Sequence, residues 1–123
     1  MDKEIETLIL GKLRIYISPA DKIKHGKRSI LQKLFPQSAY IHIVQDAKEA
    51  GIMNASVYNT HFGFSNHEKV QSYNMESDNS KLTMCVELID KKEKLESFFI
   101  KHKDYLKGKT VIFKEVETWS YAD

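Results

Sequence analysis

Leu82 to Ile89 reads LTMCVELI, with Leu82, Met84, Val86 and Leu88 alternating with Thr83, Cys85, Glu87 and Ile89. Side chains on extended backbone point alternately to opposite faces, so this run is a strand with one wholly apolar face, which must be covered by a second layer. Glu87 stands out on the other face. Three further stretches carry the same period. In Leu8 to Ile17, Leu13, Ile15 and Ile17 face one way and Lys12, Arg14 and Tyr16 the other. From Ala55 onward, Val57, Asn59 and His61 share one face and Ser56, Tyr58, Thr60 and Phe62 the other, until Gly63 ends the regularity. In Thr110 to Thr118, Val111 and Phe113 share a face that Glu115 and Glu117 continue, so this strand outgrows its own core.

Between the strands lie two segments with apolar residues at three- and four-residue spacing. Tyr40, Ile43, Val44, Ala47 and Ala50 form a helical stripe, with Ser38 at the N-cap and Gly51 suited to a left-handed exit. His42, one step from the stripe, reads as a boundary residue. Leu95, Phe98, Phe99, His102 and Leu106 form a second stripe, preceded by Asp90 and Glu93 in capping-box relation and ended by Gly108. His102 reads as packed or half-exposed. A helical turn over Ser29 to Leu34, broken before Pro36, is also expected.

The order strand, helix, strand, strand, helix, strand predicts an α+β, ferredoxin-like split βαβ fold. It is a four-stranded antiparallel sheet with two helices on one face. The 123 residues suffice for one domain spanning 1–123 with a core of its own. Tyr16, Tyr58, Cys85 and Ile89 would lie on the uncovered face, where something should cover them. Trp119 and Tyr121, at the chain's end, point to burial by a neighbouring subunit.

Several function classes are disfavoured. Nineteen basic and seventeen acidic residues give a net charge of +2, which supplies no strong attraction to nucleic acid or to a membrane surface. No apolar run approaches the ~20 residues that cross a bilayer, and the start MDKEIETLIL is acidic where a signal peptide is basic. With the single Cys85 in an apolar run, the expected setting is the cytoplasm. No histidine neighbours Cys85 and no nucleophile-elbow or phosphate-loop motif occurs, so catalysis is not expected. Asp21 to Arg28, DKIKHGKR, could face an anion with Lys27 and the amides near Gly26, or be a plain solvated loop. Ser65 to Lys81 is rich in Asn, Ser, Asp, Lys and His and is read as a mobile loop. His61, His67 and Glu68, joined by His25, offer a divalent-metal alternative, although their spacing matches no standard zinc pattern. A third reading is single-stranded RNA on the open face, since Ile15 to Ile17 and Phe62 to Phe64 echo RNA-recognition-motif signatures. Thr60 and His61, however, stand where the longer signature needs a basic residue and glycine, and on the wrong strand.

Over Lys12 to Tyr121 the chain resembles the PII-like proteins of domain-of-unknown-function family 190. The runs that carry the likeness are LRIYI at Leu13 to Ile17, HGK at His25 to Lys27, VYNTHFGF at Val57 to Phe64, and VELID at Val86 to Asp90 before a Lys/Glu-rich helix. The resemblance implies a homotrimer whose sheets form a central barrel, and adenine-nucleotide binding (AMP, ADP or ATP) in clefts between subunits. It further implies a loop, here 65–81, that regulates a partner protein. Gly26 and Lys27 match the family's GK, and Gly63 and Phe64 its GF. The nucleotide-site residues it suggests are His25, Gly26, Lys27, His61, Gly63 and Phe64. Arg28, Asn59, Thr60 and Ser65 depart from the family pattern, which has proline, Arg-Gly and glycine there, and much of Ser29 to Gln37 reads as an insertion.

Overall fold

The computed structural model describes residues 4–18, 20–23, 37–73 and 82–123. The helical turn at Ser29 to Leu34, most of the insertion, and His25, Gly26 and Lys27 lie outside the described residues, as do 74–81 of the loop. Four strands build the main sheet: β1 (Ile5–Ile17), β4 (Asn54–Asn59), β7 (Met84–Asp90) and β8 (Thr110–Tyr121). Their order is β4-β7-β1-β8, every neighbouring pair antiparallel. Helix α1 (Ala39–Glu49) connects β1 to β4, and α2 (Lys92–Lys101) with the short α3 (Lys103–Leu106) connects β7 to β8. Two small ladders accompany the sheet, β2 (Lys22–Ile23) with β3 (Gln37–Ser38) and β5 (Phe62–Gly63) with β6 (Gln71–Ser72). This is the ferredoxin-like arrangement that the alternation and helical stripes predict.

The alternating residues form the core. Leu13, Ile15 and Ile17 of β1 and Met84, Val86 and Leu88 of β7 are buried against Ile43 and Ala47 of α1, Leu95 and Phe98 of α2 and Leu106 of α3. Gly11 lies on this face, where a Cβ would meet the Phe113 ring and, at 2.9 Å, Leu95 Cδ1. The phenyl ring of Phe113 takes the space that a side chain at position 11 would need.

The opposite face is more polar than its Tyr and Ile residues suggest. Glu87 is buried there and accepts a hydrogen bond from Arg14 Nε at 3.0 Å, while Lys12 Nζ stands 3.7 Å from its other oxygen. That accounts for a glutamate in the middle of a central strand. Glu87 first, then Tyr16, holds the Arg14 guanidinium above its ordinary pKa. Around this ionic centre, Tyr58 is 53% exposed, Cys85 is buried, and Tyr16 and Ile89 are half-buried.

Some expectations need correction. Asp90 and Glu93 do not form a capping box: Lys91 is the N-cap of α2, without a side-chain cap bond. Asp90 turns inward, accepting the Met53 amide at 2.8 Å and the Lys91 amide at 2.7 Å, with Lys94 Nζ 3.4 Å away. Burial raises its pKa, but the two amides and Lys94 outweigh that, leaving it below its ordinary value. Ser38 holds the N-cap position of α1, also without a side-chain cap bond, and Gly51 makes the left-handed exit at φ 75. Phe99 is exposed, off the buried stripe. His42 is buried at 6% exposure, not at a boundary. Strands β1 and β8 extend further than their apolar period because they zip together from Tyr16↔Thr110 to Ile5↔Tyr121. Beyond Gly11 this is a two-stranded ribbon past the end of β7, with Trp119 at 69% and Tyr121 at 91% exposure.

Two stability measurements follow. Gly11→Ala should destabilise the fold by ~1 to 3 kcal/mol, read as a lower urea midpoint at unchanged m, because buried Leu95 cannot yield the space. Asp90→Asn should cost ~2 kcal/mol at neutral pH. Because Asp90 has a lowered folded pKa, its stabilisation is present above the unfolded value and lost as pH falls through the folded one. The gap between wild type and Asp90→Asn in acid unfolding should therefore narrow below the ordinary carboxylate range.

Candidate functional site

The alternation of β4 stops at Asn59, short of the Phe62 expected from the sequence. Thr60 breaks it by turning toward β7: its Oγ1 donates to Thr83 O at 2.6 Å and its amide to the same oxygen at 3.3 Å. The chain then leaves the main sheet and folds back on itself, Phe62 pairing with Ser72 and Gly63 with Gln71, with the Tyr73 amide donating to His61 O at 2.5 Å. The part of the expected loop that is described, Ser65 to Tyr73, thus includes the return strand of a hairpin. Gly63 takes φ 145 with open space where a Cβ would lie, so the demand for glycine is conformational rather than steric. Asn66 (φ 55) and His67 (φ 63) reverse the chain.

Of the residues expected at a nucleotide site, the structure brings His61, Gly63 and Phe64 together on this hairpin. The His61 ring meets Tyr73 edge-on, with centroids 5.4 Å apart, and Phe64 is 60% exposed and open to stacking. Among the described residues no three His, Cys, Asp or Glu side chains are grouped to hold a metal ion, so His61, His67 and Glu68 alone make no metal centre.

Beside the hairpin, where β1 ends and β8 begins, lies a cleft of about 90 Å³. It is lined by Tyr16 to Ser18, Asp21, Ser65, Asn66 and Glu68 of the hairpin, Thr83, and Gly108 to Thr110. Asp21 organises one wall. Its Oδ2 accepts the Ser18 amide at 3.1 Å and Lys109 Nζ at 2.9 Å, so it ties the segment leaving β1 to the start of β8. The Asp21 carbonyl also accepts the Ala39 amide at 2.8 Å, joining the same segment to α1. Asn66 Nδ2 reaches Gly108 O at 3.5 Å across the cleft. The lining is dominated by hydroxyl, amide and charged groups, which suits a polar ligand fragment.

Sequence reasoning missed this cleft, because Asp21, Asn66, Thr83 and Lys109 lie on four separated segments and no local pattern joins them. It also missed a partly buried cluster in the helix layer. Asp46 Oδ2 accepts the Tyr105 hydroxyl at 2.9 Å and lies 3.3 Å from His42 Nε2 and 3.8 Å from His102 Nδ1. The His42 to Asp46 step of four residues was a readable signal, whereas His102 and Tyr105 arrive from the other connection. Burial pushes the His102 pKa down; Asp46 and Asp104 raise it, and Lys101 and His42 lower it, leaving a net lowering. Cys85, between Tyr58 and Tyr16 in the sheet, has its pKa raised by burial, which keeps the thiol protonated and unreactive.

The fold, with a hairpin rising where β4 ends, is a domain of ferredoxin-like type. The chain belongs to the family described as DUF190, an uncharacterized ACR, whose model matches residues 10–118. No curated protein matches the chain. Among solved structures, CPII from Thiomonas intermedia K12, a nitrogen regulatory PII-like protein bound to ADP, AMP and bicarbonate, is similar at TM-score 0.56 and 10% identity, covering 94% of this chain and 91% of that one. A PII-like signalling protein from Thermus thermophilus is similar at TM-score 0.53 and 14% identity, covering 94% and 92%. The apo form of CPII gives TM-score 0.52 at 11% identity, covering 94% and 98%. At such identities the likeness is one of fold. No helix is long and apolar enough among the described residues to cross a membrane.

The anchoring of the hairpin by Thr60 can be measured. Thr60→Val should cost ~1 kcal/mol and speed hydrogen exchange at the Tyr73 amide, while amides of β7 keep their protection. Unchanged exchange at Tyr73 would show that the Thr60 hydroxyl does not anchor the hairpin.

Proposed function

We propose that the chain is a PII-like ligand-sensing regulator that binds an adenine nucleotide where subunits of a homotrimer meet, without catalytic turnover. The observation that carries this reading is the placement of the hairpin's turn, at Ser65, Asn66 and Glu68, against the polar cleft at the ends of β1 and β8. It stands in a fold shared with CPII, which binds ADP and AMP. In this reading the cleft is one side of the ligand site, and the second side comes from a neighbouring subunit. Lys27 and the amides near Gly26, a few residues beyond Ile23 in the chain, take the phosphate charge. Phe64 stacks on the base and His61 offers a ring nitrogen. Residues 65–81 reach the regulated protein. The exposed Tyr58, Trp119 and Tyr121 and the half-buried Tyr16 and Ile89 are the surfaces that assembly would cover. A buried, protonated Cys85 suits the cytoplasm, and neither nucleic acid nor direct membrane insertion has a part in this reading.

Light scattering should give three times the chain mass, and thermal unfolding with AMP, ADP, ATP and divalent metals should show nucleotide-dependent stabilisation that grows with ligand concentration. Lys27→Ala should weaken ADP binding by ~1 to 3 kcal/mol in calorimetry. Stabilisation by metals in place of nucleotides would replace this reading with a metal-binding one.

A further inference from the structure

His102 is the joint between α2 and α3. Its amide donates to Phe98 O at 3.1 Å, closing α2, and its carbonyl accepts the Leu106 amide at 3.0 Å, opening α3. Its ring stacks on Tyr105 with centroids 5.0 Å apart and planes 21° from parallel, and meets Phe98 at 4.5 Å. Asp46, the carboxylate nearest the ring, already accepts the Tyr105 hydroxyl. Helix α3 has four residues, too few to hold itself, and depends on buried Leu106 and on the bond from Tyr105 to Asp46 of α1. It leads directly into the cleft. The Lys109 amide donates to Leu106 O at 3.1 Å, Gly108 turns the chain at φ 85, and Lys109 Nζ holds Asp21.

We propose that Asp46, Tyr105 and His102 form a pH-responsive clasp on α3, closed while the His102 ring is neutral and loosened by its protonation, and that α3 thereby sets the cleft wall at Gly108 to Thr110. A cation on the half-buried His102 ring would sit between Phe98 and Tyr105, largely shielded from water, with the nearest carboxylate oxygen at 3.8 Å and engaged by the tyrosine. The charged and titratable groups around it are Asp46 and His42 from α1, Lys101 from α2, and Asp104 and Tyr105 from α3. Asp46 and Asp104 favour the charge, Lys101 and His42 oppose it, and burial opposes it more than the carboxylates help. The charged ring gains most by turning into solvent, which breaks its stack on Tyr105 and frees the start of α3. Stability from a lowered histidine pKa is present above the unfolded value and lost as pH falls toward the folded one, which sets the window just below neutrality. The consequence for ligand binding rests on the reading of the cleft as a nucleotide site; the clasp itself does not.

The test is hydrogen exchange on the full chain at pH 7.5 and 5.5, corrected for intrinsic rates, with calorimetric ADP titration at both values. In the wild type, opening at the amides of 103–110 should rise severalfold at pH 5.5 while β7 amides stay protected. His102→Phe, which keeps the stacked ring and removes the charge, should flatten that response. Tyr105→Phe should raise opening at both pH values. A response that survives His102→Phe, or no response in the wild type, overturns the clasp. Weaker ADP binding at pH 5.5 that His102→Phe restores supports the link to the cleft, and ADP binding equal at both values in the wild type overturns that link. Failure of ADP to bind at either pH strikes the nucleotide reading alone, and the exchange measurements then still decide the clasp.

Discussion

The seam between the two central strands and the helix layer holds this molecule together. Ile15, Val86 and Leu88 are wholly buried on the sheet side, and Ile43 and Leu95 meet them from α1 and α2. A sheet with one apolar face has no stable existence without that cover, and the two crossover connections deliver both helices to the same side. Gly11 shows how close the fit is, since the missing side chain is the space that Phe113 uses. Because the seam fixes β1, β7 and β8 relative to one another, it also fixes where Ile17, Thr83 and Thr110 come together. The cleft is thus an end of the sheet, placed by packing several residues away.

The two faces of the sheet follow different physics. The covered face is apolar throughout its centre, and the other is built around Glu87 with Arg14 and Lys12. A carboxylate in the middle of a central strand is tolerable because two cations reach it from the neighbouring strand. Tyr16, Tyr58, Ile89 and Ile112 surround it, so this surface pairs an ionic centre with an apolar rim. A partner seated on it must accommodate both, which is a more selective demand than an oily face would make.

The core strands and helical stripes were legible because alternation and three- or four-residue spacing are local properties. The ends of the elements were not. The sequence reading lost β1 and β8 beyond Leu8 and Thr118, where Glu6, Thr7 and Ser120 hide a ladder sustained by pairing rather than by burial. Asp90 and Glu93 satisfied a capping pattern, yet the Met53 amide claimed Asp90 from another part of the chain. Gly63 and Phe64 mark the loop's root in the sequence, but the pairing of Phe62 and Gly63 with Ser72 and Gln71 carries no hydrophobic signal. The same limit hid the cleft and the Asp46 cluster, since their members converge from separate connections and only the tertiary fold makes them neighbours.

The ribbon formed by β1 and β8 places the Ala122 amide 3.0 Å from Glu4 O, so the two ends of the described chain leave the molecule side by side. From Ile5 to Ile17, β1 spans about 40 Å of extended backbone, and the cleft lies at its far end. A fluorophore or affinity handle attached beside Glu4 or beside Ala122 therefore starts from the same tip, remote from the hairpin.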